Sequence, residues 1–267
     1  MGKKSINNYL NTEPSLLAEN ERLEVICSLV ERLQIEFAKQ DKSGIYGLTQ
    51  RKLAYNSNKI EGSTLTEKQT SSLFETGTVL ASEEVYRAKD IEETRGHFLM
   101  FNEMLKTWND ALSEELIKKY HFRLKSGVFE DLANGYPIGE YKNRRNMVSD
   151  IITATPDEVE TRMCELLQEY ESQEKRGLLE LARFHAEYER IHPFQDGNGR
   201  TGRLLLYKEC LRNGIIPIII QDANKGNYYV ALNKAQTESD YKPLVELFTR
   251  EQESYYSIMS DFLYVFN

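Results

Sequence analysis

The sequence predicts an all-α fold. Apolar residues recur at helical spacing through most of its length. Strong helix start and stop signals separate those stretches, and strand-like character is confined to one short segment.

Residues 16–40 place Leu23, Ile26, Val30 and Leu33 on one stripe, as an amphipathic helix requires. Residues 48–61 read as a second helix stopped by Gly62, which suits a left-handed cap. Thr64-Leu65-Thr66-Glu67 then has the spacing of a capping box opening the next helix. A long helical stretch runs from Ser82 to Trp108 with Ile91, Phe98, Phe101 and Leu105 among its apolar positions, and another from Ser113 to Lys125. Gly127, Gly135, Pro137 and Gly139 break the pattern over 127–154, where Met147-Val148 and Ile151-Ile152 read as a small β-hairpin. Thr155-Pro156-Asp157-Glu158 restarts the helices, with Pro at the first helical position. Helices are expected over 156–173, 177–190, 199–213, 226–237 and 241–264, the third of them ended by Gly214 and Pro217. No linker divides the chain. Residues 1–45 read as a helical extension, 46–250 as the main domain and 251–267 as the end of the last helix.

Composition narrows the function. With 267 residues, 40% hydrophobic and 28% charged, the chain suits a globular domain. A formal net charge of -8 and the lack of a basic stripe argue against a nucleic-acid partner. The longest apolar run, Ile215 to Ile220, is interrupted by Pro217 and far too short to span a bilayer, so no membrane role is expected. Cys27, Cys164 and Cys210 are odd in number and far apart, which fits a reducing compartment. A cytoplasmic protein is expected, and export without a classical signal is compatible with the same features.

The chemistry concentrates in His192-Pro193-Phe194-Gln195-Asp196-Gly197-Asn198-Gly199-Arg200, with Arg203 one turn further on. A Gly-Asn-Gly turn at a helix start leaves backbone N–H groups and the positive end of the dipole facing one point, which suits phosphate. Two arginines in that first turn oppose the dipole unless an anion sits there. Asp196 can hold Mg²⁺ against phosphate oxygens. His192 stands beside it as a base that titrates near neutrality. Together these are parts for in-line transfer of a phosphorus-containing group. The remaining histidines, His97, His121 and His185, read as structural.

HPFQDGNGRTGR, His192 to Arg203, resembles the Fic signature HPFx(D/E)GNGRxxR at every fixed position. Phe184 to Phe194 resembles the helix that leads into it, and Tyr228-Tyr229 with Ala231-Leu232-Asn233 resembles the downstream nucleotide pocket. The resemblance covers about residues 50–250. It implies a Fic-type helical domain that transfers AMP from ATP to a Ser, Thr or Tyr hydroxyl of a target protein, releasing pyrophosphate. By that resemblance His192 is the general base and Asp196 the Mg²⁺ ligand. Gly197, Asn198 and Gly199 form the phosphate nest, Arg200 and Arg203 hold the outer phosphates, and Phe194 anchors the loop. Tyr229 and Gln236 line the adenine site. The intact Gly-Asn-Gly favours adenylylation over the kinase chemistry of the Doc-type branch.

Ser57-Asn58-Lys59-Ile60-Glu61-Gly62 resembles the family's inhibitory pattern (S/T)xxxE(G/N). It implies that a helix over 48–62 holds Glu61 against Arg203 and blocks productive ATP. Residues 140–152 resemble the flap that holds a target segment by strand addition. The sequence leaves four points open: removal of AMP with Glu61 positioning water, a donor other than ATP such as UTP or a choline-bearing nucleotide, a toxin–antitoxin or binding module, and the oligomeric state, with a homodimer among the options.

Overall fold

The computed structural model describes residues 17–81, 85–148 and 151–263. They form an all-α fold of α1 (Glu19–Lys39), α2 (Ile45–Ile60), α3 (Glu67–Thr76), α4 (Ala88–Lys106), α5 (Glu114–Lys125), α6 (Phe129–Ala133), α7 (Pro156–Glu171), α8 (Leu178–Ile191), α9 (Asn198–Arg212), α10 (Lys225–Glu238) and α11 (Lys242–Leu263). A short 3₁₀ turn, Asp222–Asn224, precedes α10. Between α6 and α7, β1 (Met147–Val148) pairs antiparallel with β2 (Ile151–Ile152), in the register Met147↔Ile152 and Val148↔Ile151.

Helix α9 is the axis of the core. Every residue from Asn198 to Leu211 is buried, and α2, α4, α5 and α8 pack around it. Such a helix has no solvated face, so its polar residues must find partners inside the protein. Lys208 and Glu209, both wholly buried, pair with each other at 2.8 Å. Helix α1 packs on α2, α4 and α11. It buries Val25, Ile26, Leu29 and Leu33, while Leu23 of the expected stripe lies at the edge, 44% exposed.

Local chemistry sets the boundaries, and in three places differently from expectation. The capping box of α3 is Thr66 with Gln69: Thr66 Oγ1 accepts from the Gln69 N–H at 3.2 Å and Gln69 Oε1 from the Thr66 N–H at 3.0 Å. Thr64 does not cap, because its N–H and hydroxyl both donate to Asp90 Oδ2, at 2.8 and 2.6 Å. Helix α4 starts at Ala88 rather than Ser82. Arg87, just before it, is extended and donates to the Gly62 carbonyl and to Asp90, and residues 82–84 lie outside the described set. Helix α6 arises inside the expected loop, where five residues are too few to show a period. Elsewhere the signals hold: Glu158 Oε2 accepts from the Thr155 N–H at 2.8 Å at the start of α7. Among the described residues no helix is long and apolar enough to cross a membrane.

Helices α4 and α5 form the most extensive pairing among the described elements. Gly96 permits it, since a Cβ there would overlap the Leu124 carbonyl oxygen. Gly96→Ala should therefore push α5 away and cost roughly 1–3 kcal/mol. A lowered urea midpoint with unchanged slope is expected; an unchanged midpoint contradicts this packing.

Candidate active site

The site is a short connection between two buried helices. Helix α8 ends at His192, which is left-handed with φ 53°, and α9 begins after Gly197, with φ 84°. Asn198 ties the connection into one rigid loop: its Oδ1 accepts from the Phe194 N–H at 2.7 Å and its Nδ2 donates to the Phe194 carbonyl at 2.8 Å. Phe194 is wholly buried. Its ring stacks on His121, centroids 3.8 Å apart and planes 1° from parallel. The Gly139 N–H donates to His121 Nδ1, which leaves the proton on Nε2 to donate to the Asp196 carbonyl at 2.9 Å. The hairpin side is fixed by Lys142 N–H to the Pro193 carbonyl, 2.8 Å, and by Asn146 Nδ2 to the Phe194 carbonyl, 2.8 Å. His97, His121 and His185 are all buried, and burial pushes each down to about 3, so they are neutral.

His192 lines a cavity of about 390 Å³ together with Glu61, Gly199 and Arg203. Its Nδ1 donates to the Glu189 carbonyl at 3.3 Å, so the lone pair belongs to Nε2. Burial and the Lys142 ammonium push its imidazolium down to about 4. It is a neutral base at physiological pH. The N–H groups of the first turn of α9 have no carbonyl within their own helix, and an anion does stand there. The Glu61 carboxylate lies so close to Gly199 that a Cβ would strike it.

Glu61 caps α2, and Gly62 after it takes the left-handed conformation with φ 87°. Arg203 turns back to the same point. Its Nε donates to Ser57 Oγ at 3.0 Å, and one terminal nitrogen donates to the Ser57 carbonyl at 2.9 Å and to Glu61 Oε1 at 2.6 Å. Burial alone would raise the Glu61 carboxyl, but Arg203 and Arg200 outweigh it and hold the group below its usual range.

Arg200 points the other way. It is 3% exposed and pairs with Glu93 of α4 and with Asp196 Oδ1, the latter at 3.3 Å. Asp196 itself accepts from the Gly197 N–H at 2.7 Å on Oδ1 and from Lys125 at 2.8 Å on Oδ2. Burial is opposed there by Arg200, Lys125 and Lys89, which keep the carboxyl far below its ordinary range. Tyr229 and Gln236 both line the cavity, with Tyr228, Leu232 and Asn233 beside them. The Tyr229 hydroxyl donates to the Ile60 carbonyl at 3.4 Å and Gln236 Nε2 to the Ala186 carbonyl at 3.0 Å.

Sequence reading missed Glu93, Lys125 and Glu189. As single charges within helices they look like solvated positions, and no local motif marks them. Glu189 lies on the cavity wall with Oε1 unbonded. Burial, reinforced by Glu61 and only partly offset by Arg203, pushes it up to about 8, so it is a neutral acid at pH 7.

Fold and loop together define a helical domain whose central helix opens on a histidine-flanked anion site. Residues 111–210 match the model of the Fic/DOC family, so the chain carries a Fic/DOC domain there. It is 28% identical over 201 residues to a protein adenylyltransferase Fic of Nematostella vectensis, covering 73% of this chain and 45% of that protein. It is 30% identical over 195 residues to one of Culex quinquefasciatus, covering 72% and 38%. The chain thus spans less than half the length of these curated relatives. Among solved structures, a Fic domain containing signaling protein from Bacteroides thetaiotaomicron superposes with a TM-score of 0.67 at 25% identity, covering 91% of this chain and 94% of that one. Fic-1 of C. elegans, at 22% identity and TM-score 0.66, shares the fold.

Asn198→Ala should strand the buried Phe194 N–H and release the loop, a loss of roughly 2–3 kcal/mol. Urea unfolding measures it, and a change within experimental error would mean that the asparagine does not hold the loop.

Proposed function

We propose that the chain is an autoinhibited protein adenylyltransferase, moving AMP from ATP to a Ser, Thr or Tyr hydroxyl of a target protein and releasing pyrophosphate. The observation that carries this reading is the neutral His192 imidazole, with its Nε2 lone pair available, sharing one cavity with the α9 N-terminus and Arg203. Base and anion site then serve the same phosphorus. Names of the curated relatives point the same way.

In this reading His192 Nε2 takes the proton of the target hydroxyl as its oxygen attacks the α-phosphorus. The new O–P bond forms as the bond to pyrophosphate breaks. The N–H groups of Asn198 and Gly199 and the Arg203 guanidinium receive the negative charge of the leaving phosphates. Arg200 serves them through Asp196, which it orients. The Asp196 carboxylate retains about a third of its surface toward solvent. One carboxylate beside phosphate oxygens is a donor set that suits Mg²⁺, which when bound would neutralise phosphate charge. Tyr229 and Gln236 face the base, and Glu189, as an uncharged acid, tolerates the phosphates. Ile151 of the hairpin borders the cavity, and Met147 and Ile152 stand 81% and 90% exposed, a placement suited to a target strand. Free Cys27, Cys164 and Cys210 accord with a cytoplasmic setting.

Inhibition follows from Glu61 filling the place of an outer phosphate on Arg203. A charge-assisted hydrogen bond of this kind is worth roughly 1.5–3 kcal/mol, or about 10–100-fold in population. Glu61→Gly should raise labelling of target and of the chain itself from labelled ATP by at least that order. Should it label no more than wild type, the autoinhibition reading is wrong; should it lose an AMP-removing activity instead, Glu61 is a catalytic group of the reverse reaction. His192→Ala in the same background should cut transfer by roughly 10²–10⁴-fold with the fold intact, and an unchanged rate contradicts the mechanism.

The pH profile tests two groups. Since His192 is depressed, its base form persists down to about pH 4, so the acid limb of kcat should lie below pH 5 rather than near 6.5. Glu189, raised, ionises only above about pH 8 and then repels phosphate, so KM for ATP should climb there. Glu189→Gln should remove that alkaline climb; its persistence would assign it to another group.

A further inference from the structure

Behind Asp196 lies a charge cluster that the transfer chemistry does not call on. Lys125 of α5 is 1% exposed. Its ammonium stands 2.6 Å from Glu93 Oε1, 2.6 Å from Asp131 Oδ2 and 2.8 Å from Asp196 Oδ2. Hydrogen bonds to Glu93 and Asp196 and an ion pair with Asp131 thus join one ammonium to three carboxylates, brought in by α4, α6 and the active-site loop. Oxygens of these three acids lie within 4.8 Å of one another. That is close enough for a divalent cation to bridge them, yet the chain's own ammonium stands between them. A second ammonium, Lys89, is 3.4 Å from Asp196 Oδ2. Arg200 holds the other oxygen of Glu93 and Asp196 Oδ1. Three buried or half-buried carboxylates face three cations, and their formal charges cancel; a fourth acid, Glu130, meets Lys89 at 3.6 Å from the solvent side, where water screens it.

We propose that Lys125 is a positioning residue that stands in for a metal ion inside the Glu93–Asp131–Asp196 triangle, so that a divalent cation reaches Asp196 only at its outer edge and only in company with nucleotide phosphate. The part concerning nucleotide rests on the function proposed above; the part concerning the triangle does not. A buried set of acids this close repels itself unless a cation sits between them. With Lys125 in place, Asp196 Oδ2 is fixed inward and the cluster is neutral, so a cation arriving alone finds no net attraction. Phosphates bound at the α9 N-terminus add the missing negative charge. Without Lys125, the same three carboxylates become an oxygen cage with net negative charge, the donor set that divalent cations prefer. Lys125 also aligns Arg200, because Glu93 bonds both cations at once.

The experiment is titration of the full chain with Mn²⁺ in the absence of nucleotide, followed by the paramagnetic signal of free Mn²⁺ and by thermal melting. Wild type should show no saturable binding below millimolar Mn²⁺ and no shift of Tm. Lys125→Gln should bind Mn²⁺ at least tenfold more tightly than wild type and melt higher in its presence. Equal titrations for the two proteins would overturn the proposal. Should Lys125→Gln not fold, Lys125→Gln with Asp131→Asn keeps the charge of the cluster. That double variant should fold, gain no Mn²⁺ affinity, and need at least tenfold more Mg²⁺ than wild type for half-maximal binding of an ATP analogue. Wild-type Mg²⁺ dependence in the double variant would equally overturn it. If no protein is labelled from ATP, the proposed function fails while the nucleotide-free titration still decides on Lys125.

Discussion

Arg203 needs an anion. Its guanidinium is 3% exposed on a helix that has no solvated face, and a buried cation left without a counter-charge costs several kcal/mol. Glu61 supplies that charge in the structure, and Ser57 accepts two further bonds through its hydroxyl and carbonyl. Much of the local architecture answers to this contact. Helix α2 must end where its last turn meets α9. Gly62 must turn left-handed directly after the acid, and Gly199 must lack a side chain where the carboxylate approaches. A phosphate offers the same charge to the same guanidinium and the same helix N-terminus. Under the proposed function, carboxylate and phosphate are alternatives on that one residue.

The two arginines of the loop divide the labour. Arg203 faces the cavity, whereas Arg200 faces inward to Glu93 and Asp196. Two cations in the first two turns of a helix work against its dipole, and the fold resolves this by surrounding them with acids from α2, α4 and the loop. Lys125 and Lys89 then offset the excess acid around Asp196. His121, kept neutral by burial, holds the Asp196 carbonyl and stacks on Phe194, so the backbone of the loop is as constrained as its charges.

How much of this was legible in the sequence depends on how local each signal is. The signature His192 to Arg203 is contiguous, so its placement at a helix junction followed directly from Pro193 and the Gly-Asn-Gly turn. The pairing of Glu61 with Arg203 spans 142 positions, yet the resemblance around Ser57 to Gly62 named both partners. The direction of Arg200 was not legible. Sequence spacing puts it beside Arg203, but Glu93, far away in α4, decides where it points. Lys125 and Asp131 gave no signal either, because a lysine on a helix and one of two adjacent acids in an expected loop look solvated until α4, α5 and α6 are packed. The expected start of α4 and the expected Thr64 cap failed for a smaller reason of the same kind, since Asp90 takes both the Arg87 guanidinium and the Thr64 hydroxyl.

The central claim is that Glu61 occupies the place of an outer phosphate on Arg203. Calorimetric titration of wild type and Glu61→Gly with ATP and with AMP tests it most directly. The account predicts that ATP binding tightens by about tenfold or more in the variant while AMP, which lacks the outer phosphates, binds both proteins alike. Equal gains for ATP and AMP, or none for either, would contradict it.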